Sequence, residues 1–148
     1  MPATLAVTRG ITILRENGPA ILNTTYKDVA AKANLPRLQG PAGTHKSGND
    51  PHIQGRAIDI ILFATIENER KVADELVNVF LTVREKMKWL AVVYNKKQWN
   101  WAGQEFPRGG DIISQHITHI HIEWAMAFAA HVTWEQALID ELKSRKWE

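Results

Sequence analysis

The 148-residue sequence contains no cysteine, which excludes disulfide staples, thiolate metal ligands and a cysteine nucleophile. Any bound metal must therefore rely on imidazole and carboxylate. The absence does not fix a compartment, since a domain of this size folds outside the cell without disulfides. Long hydrophobic runs are also missing. No segment is long enough to span a bilayer, and the apolar run in the opening MPATLAVTRG is too short for a secretory signal. Nor is there a block of one charge: 18 Lys and Arg are well mixed with 16 Asp and Glu, so the net charge of +2 gives no basic track for nucleic acid.

Hydrophobic residues make up 45% of the chain, enough at this length for a substantial core, and the expectation is one domain over residues 1–148. No internal repeat or low-complexity linker divides it. Leu5, Val7, Ile11, Ile13 and Leu14 mark an early ordered segment of mixed periodicity, and residues 24–34 read as the start of a helix near Asp28–Lys32. Residues 39–55, rich in glycine, proline and short polar groups, read as a shaped loop that delivers His52 to a strand over 56–63. Alternation on that strand sets Ala57, Asp59 and Ile61 on one face, opposite Ile58, Ile60 and Leu62.

An amphipathic helix is expected over 66–87, with Val72, Leu76, Val79, Phe80 and Val83 inward, followed by a strand over 89–94 and a turn or edge near Lys96, Lys97 and Trp99. Residues 100–115 read as a second long loop. Strict alternation over 117–124 then sets Ile117, His119, His121 and Glu123 on one face. Thr133 with Gln136 suggests a capping box opening a last helix. Strands separated by one strong helix, with terminal helices, predict an α+β fold with a small antiparallel sheet and flanking helices.

Two histidines and an aspartate stand out. Gly55 gives the loop latitude to turn His52 towards Asp59, and Ala57 leaves space on the Asp59 face. His121 approaches from another strand. His52, Asp59 and His121 would form a two-histidine, one-carboxylate set that holds zinc and leaves an open position for water.

HIQGRAID over 52–59, HITHIH over 116–121 and VVYNKKQW over 92–99 resemble the zinc peptidase superfamily that contains lysostaphin-type peptidases, D-Ala-D-Ala metallopeptidases and murein endopeptidases. The similarity is greatest to its D-Ala-D-Ala carboxypeptidase and endolysin branch and extends over about residues 44–124. It implies a small α+β domain with Zn2+ on an antiparallel sheet, ligands His52, Asp59 and His121, and His119 contacting the catalytic water or the developing oxyanion. It also implies a substrate, the peptides of bacterial peptidoglycan or their precursors, and action outside the cytoplasm or delivery to the cell wall. Asp50 stands where family members often have serine, and Thr118 where two subgroups place a catalytic glutamate. A threonine cannot replace a carboxylate base, so the chain looks more like the subgroup that uses a histidine.

Around this set, neutral His119 can accept a proton from water or, protonated, donate one to an oxyanion. His116 is a candidate to orient His119 or bind substrate, and His45 to reach the groove from its loop. Arg37, Lys46 and Arg56 are candidate anion-binding residues, with Arg56 also suited to bracing the loop. Asp111 is a candidate for shaping the late loop. Trp99, Trp101, Trp124 and Trp134 could line a substrate groove or fill the core. Two other classes stay open: a catalytically weak zinc-containing cell-wall-binding domain, and a metal-dependent nuclease toxin, for which Lys96 and Lys97 beside Trp99 offer only a fragment of a phosphate track.

Overall fold

The computed structural model describes residues 3–40, 51, 54–109 and 116–147. Helix α1 (Leu5–Asn17) opens the chain. A single 3-10 turn (Ala20–Asn23) leads into β1 (Thr25–Asp28), β2 (Ala33–Pro36) and β3 (Leu38–Gln39). Next come β4 (Ala57–Ile61), α2 (Glu67–Thr82), α3 (Arg84–Met87), β5 (Ala91–Tyr94), β6 (Lys97–Asn100), β7 (Glu105–Pro107) and β8 (His119–Glu123). Helices α4 (Met126–Ala129) and α5 (Glu135–Lys143) close it. The fold is α+β. A six-stranded sheet has the order β3-β4-β8-β5-β6-β7, every neighbouring pair antiparallel, beside a separate β1-β2 hairpin.

Helices cover one face of the large sheet. Ala6, Val7, Ile13 and Leu14 of α1, Leu76, Val79 and Phe80 of α2, and Leu138 and Leu142 of α5 share one core cluster with Ile58, Ile60, Val92, Ile120 and Ile122 of the strands. Gly10 makes the closest approach: a Cβ there would come within 2.9 Å of Ile58 Cδ1, so the missing side chain lets α1 settle onto β4. Trp124 and Trp134 stack with ring centroids 5.9 Å apart inside this core, and Trp99 joins the same cluster. Trp101 alone of the four candidate groove tryptophans is exposed.

Several sequence expectations are corrected. Residues 24–34 form no helix. Thr25–Asp28 and Ala33–Pro36 pair as a hairpin, with Asp28 Oδ1 accepting the Ala31 N–H at 2.9 Å and Lys32 in the left-handed region at φ 52°. The hairpin is mostly exposed, so it carries no alternating apolar signal. The helix expected over 66–87 breaks at Val83 into α2 and α3. Lys97 and Trp99 lie within a strand, and residues 105–107 of the late loop add an edge strand. Ile117 precedes β8 and packs with the core instead of sharing the histidine face. The last helix is preceded by Trp134 with no side-chain cap, and Gln136 bonds Asp140, so the capping box does not form.

Arg37 serves the fold. Its guanidinium is buried and donates to Glu69 Oε1 at 2.8 Å, Ile61 O at 2.9 Å and Thr24 Oγ1 at 2.9 Å, tying α2 to the sheet. Glu69 also accepts the Phe63 N–H at 3.1 Å. Truncating one partner strands the other charge in the interior, so Arg37→Ala is expected to cost about 3–5 kcal/mol in urea unfolding. The double substitution Arg37→Met with Glu69→Leu should lose much less, because neither charge then remains buried.

Candidate metal and histidine site

The face of the sheet away from the helices carries the polar cluster. Antiparallel register sets Asp59 opposite His121, Ile61 opposite His119 and Ala57 opposite Glu123, so alternation puts Asp59, His119, His121 and Glu123 on that one face. His121 Nδ1 lies 3.2 Å from Asp59 Oδ1, and His119 Nε2 lies 3.7 Å from the same oxygen. Asp59 and His121 are each 8% exposed.

Behind His121 stands a second layer. Its Nε2 is 3.0 Å from Glu123 Oε1. Arg56 Nη1 donates to the other oxygen of Glu123 at 3.1 Å and to Trp124 O at 2.8 Å, while Arg56 Nε donates to Gln54 Oε1 at 2.8 Å. Arg56 therefore ties Glu123 to Gln54 and to the backbone at Trp124. Glu123 was not singled out from the sequence, although its place two residues after His121 on the same strand face was a usable signal.

His116 sits in the left-handed region at φ 51°. Its ring centroid lies 4.7 Å from that of His119 and 5.7 Å from that of His121, so all three imidazoles cluster. Thr118 Oγ1 is 3.0 Å from His119 Nδ1. Lys97 lies in β6 with Nζ 4.0 Å from Glu105 Oε1, both side chains exposed. His52, expected as the first ligand, lies outside the described residues, as do His45, Lys46, Asp50 and Asp111.

Burial opposes charge on His121, but hydrogen bonds to Asp59 and Glu123 and their negative charges outweigh it and hold the imidazolium up to about 9. Burial likewise opposes ionisation of Glu123, yet the hydrogen bond and charge of His121, with Arg56 beside it, hold its carboxyl below the usual range. Two of these donors have a spacing that a zinc ion could bridge. Two tetrahedral zinc ligands at bonds of about 2.0–2.1 Å stand about 3.4 Å apart, close to the 3.2 Å between Asp59 Oδ1 and His121 Nδ1. Glu123 on the far ring nitrogen is the outer partner a metal-bound imidazole usually has. Among the described residues no three such side chains converge on one metal position.

Comparison of the chain with protein-family models, curated proteins and solved structures finds no match. Among the described residues no helix is long and apolar enough to cross a membrane.

The metal-free site makes a pH prediction. A histidine held up to about 9 in the fold against 6.5 when unfolded stabilises fully below pH 6.5, and that stabilisation, about 3 kcal/mol, disappears as pH rises through 9. Chelator-treated wild type should lose stability across this window in urea titrations, whereas His121→Asn should stay nearly flat. Equal slopes for the two proteins would refute the assignment.

Proposed function

We propose that the chain is a zinc-dependent peptidase that hydrolyses peptide bonds of bacterial peptidoglycan or its precursors by metal-activated water, as an endopeptidase or a carboxypeptidase. The observation that carries this reading is the pairing of Asp59 with His121 across β4 and β8 at 3.2 Å, with His119 Nε2 turned to the same carboxylate oxygen. The peptidoglycan assignment rests on the motif resemblance. Such an enzyme acts outside the cytoplasm or is delivered to the wall.

His52, Asp59 and His121 would hold Zn2+, which when bound lowers the pKa of its water and polarises the scissile carbonyl. Glu123 accepts the Nε2–H of His121, which fixes the ring and leaves Nδ1 for the Asp59 side; Arg56 keeps the Glu123 carboxylate in place. His119 moves the proton at Nε2. Thr118 supports either role, because its hydroxyl can accept from Nδ1–H and leave Nε2 basic, or donate to Nδ1 and leave Nε2 a donor to an oxyanion. The alternative is a weak zinc-containing wall-binding domain, which a His119 turned away from the metal would favour; His119 Nε2 lies 3.7 Å from Asp59 Oδ1.

Zinc-loaded protein incubated with purified peptidoglycan and defined muropeptides should release new peptide termini detectable by mass spectrometry. His119→Ala should keep its zinc and lose about 100-fold or more in turnover. Full zinc occupancy with no new terminus across the panel would overturn the peptidase reading. Asp59→Ala should lose zinc in metal analysis at pH 7; unchanged stoichiometry and affinity would remove Asp59 from the ligand set.

A further inference from the structure

The histidine face runs on across the sheet. Register places Gln39 opposite Asp59, Asp59 opposite His121, His121 opposite Val93, Val93 opposite Gln98 and Gln98 opposite Phe106, so these side chains form one row over all the strands of the large sheet. The row is lopsided about the pair of Asp59 and His121. Only β3 lies beyond Asp59, and the amide of its Gln39 serves the fold: Nε2 donates to Tyr26 Oη at 3.1 Å and to Pro36 O at 3.0 Å. Beyond His121 lie β5, β6 and β7. There Gln98 Oε1 accepts from Arg108 Nη1 at 2.7 Å, and the Arg108 N–H donates to Lys96 O at 2.7 Å, which pins residue 108 to the β5-β6 turn. Phe106, at the end of the row, is 46% exposed.

A guanidinium only donates, so the Gln98 atom that faces it must be the carbonyl oxygen. The Gln98 amide nitrogen takes no partner among the described residues. It is an oriented donor on the face that carries the histidines. Strands about 4.8 Å apart put Gln98 about 10 Å and Phe106 about 14 Å from His121. An extended peptide advances about 3.3 Å per residue, so these are the spans of about three and about four residues.

We propose that the row from His121 to Phe106 is an extended subsite, on one side of the bond to be cut, for a peptide lying across the strands. Gln98 Nε2 donates to a peptide carbonyl about three residues from that bond, and the Phe106 ring packs on an apolar side chain about one residue further out. Donor and ring stand one strand apart, close to the repeat of an extended chain, which is what a peptide offers: a carbonyl and then a side chain. The inference rests on the peptidase reading and sharpens its substrate. The preferred peptide continues for about four residues beyond the cut bond, and a short terminal fragment is the poorer substrate.

The test titrates the zinc-loaded full chain with acetylated, amidated alanine peptides of increasing length that carry a leucine at one end or the other, following the imidazole C–H and Phe106 ring signals by NMR. Peptides long enough to join the two places, about four residues, should perturb both sets of signals and bind about tenfold tighter than shorter ones. Phe106→Ala, an exposed edge substitution that leaves the core untouched, should erase that gain, and Gln98→Ala should reduce it. In turnover assays Phe106→Ala should raise KM about tenfold for long muropeptides while leaving kcat, and the KM of the shortest peptide cut, unchanged. Length-dependent binding that needs Phe106 supports the subsite even if no bond is cut, an outcome that would count against the peptidase reading alone. Binding that is absent, indifferent to length or equal in Phe106→Ala overturns the subsite, whether or not the wild type cuts muropeptides.

Discussion

The antiparallel register between β4 and β8 sets every distance at the candidate site. With Asp59 opposite His121, alternation carries His119 and Glu123 to the same face, and it carries Ile58, Ile60, Ile120 and Ile122 to the helices. A slip of one residue would put Asp59 opposite an isoleucine and turn a carboxylate into the core. The dry face therefore specifies the polar one. Gly10 contributes from a distance, since the approach of α1 to Ile58 anchors β4 in that register.

On the polar face, charge alternates along Arg56, Glu123, His121 and Asp59, each in contact with the next. A protonated His121 between two carboxylates compensates buried charge that would otherwise be costly. Any divalent cation at Nδ1 would have to displace that proton, which would tie its affinity to pH through the same imidazole. Arg37 and Glu69 solve a separate problem in the same way, pairing inside the structure to join α2 to the sheet. The two arginines thus do different work: the buried Arg37 secures the scaffold, and the half-buried Arg56 holds the carboxylate beside His121.

Alternation made β4 and β8 legible in sequence, because one face of each is aliphatic and the other carries the unusual polar residues. The α+β class and the strong helix followed from the same kind of pattern. Helix α1 was obscured because Ala6 and Gly10 are two of its five buried positions, and neither weighs much as an apolar signal. The β1-β2 hairpin was misread because its exposed strands have no buried face to write a period of two. Arg37 looked like an anion site because a lone arginine beside a loop gives no hint of Glu69, 32 residues further on. Glu123 was legible as a face but not as a role, since the contact that gives it one is made through Arg56, 67 residues earlier.

Backbone conformation explains why three imidazoles meet at the mouth of β8. His116 is left-handed at φ 51°, and its carbonyl accepts the N–H of Asn95 at 2.9 Å. Asn95 and Lys96 in the β5-β6 turn are themselves left-handed, at φ 48° and 67°. Asparagine tolerates this region, whereas lysine and histidine each pay about 1–2 kcal/mol for it. That cost persists only where the surroundings over-determine the conformation, and here they do so from two sides: the hairpin fixes the carbonyl, and the His119 and His121 rings pack against the side chain. Relaxing residue 116 to an ordinary conformation would release Asn95 and swing the ring away from His119. The histidine cluster is thus positioned by two tight turns, one closing β5 and one opening β8, acting on strands whose register the core has already fixed.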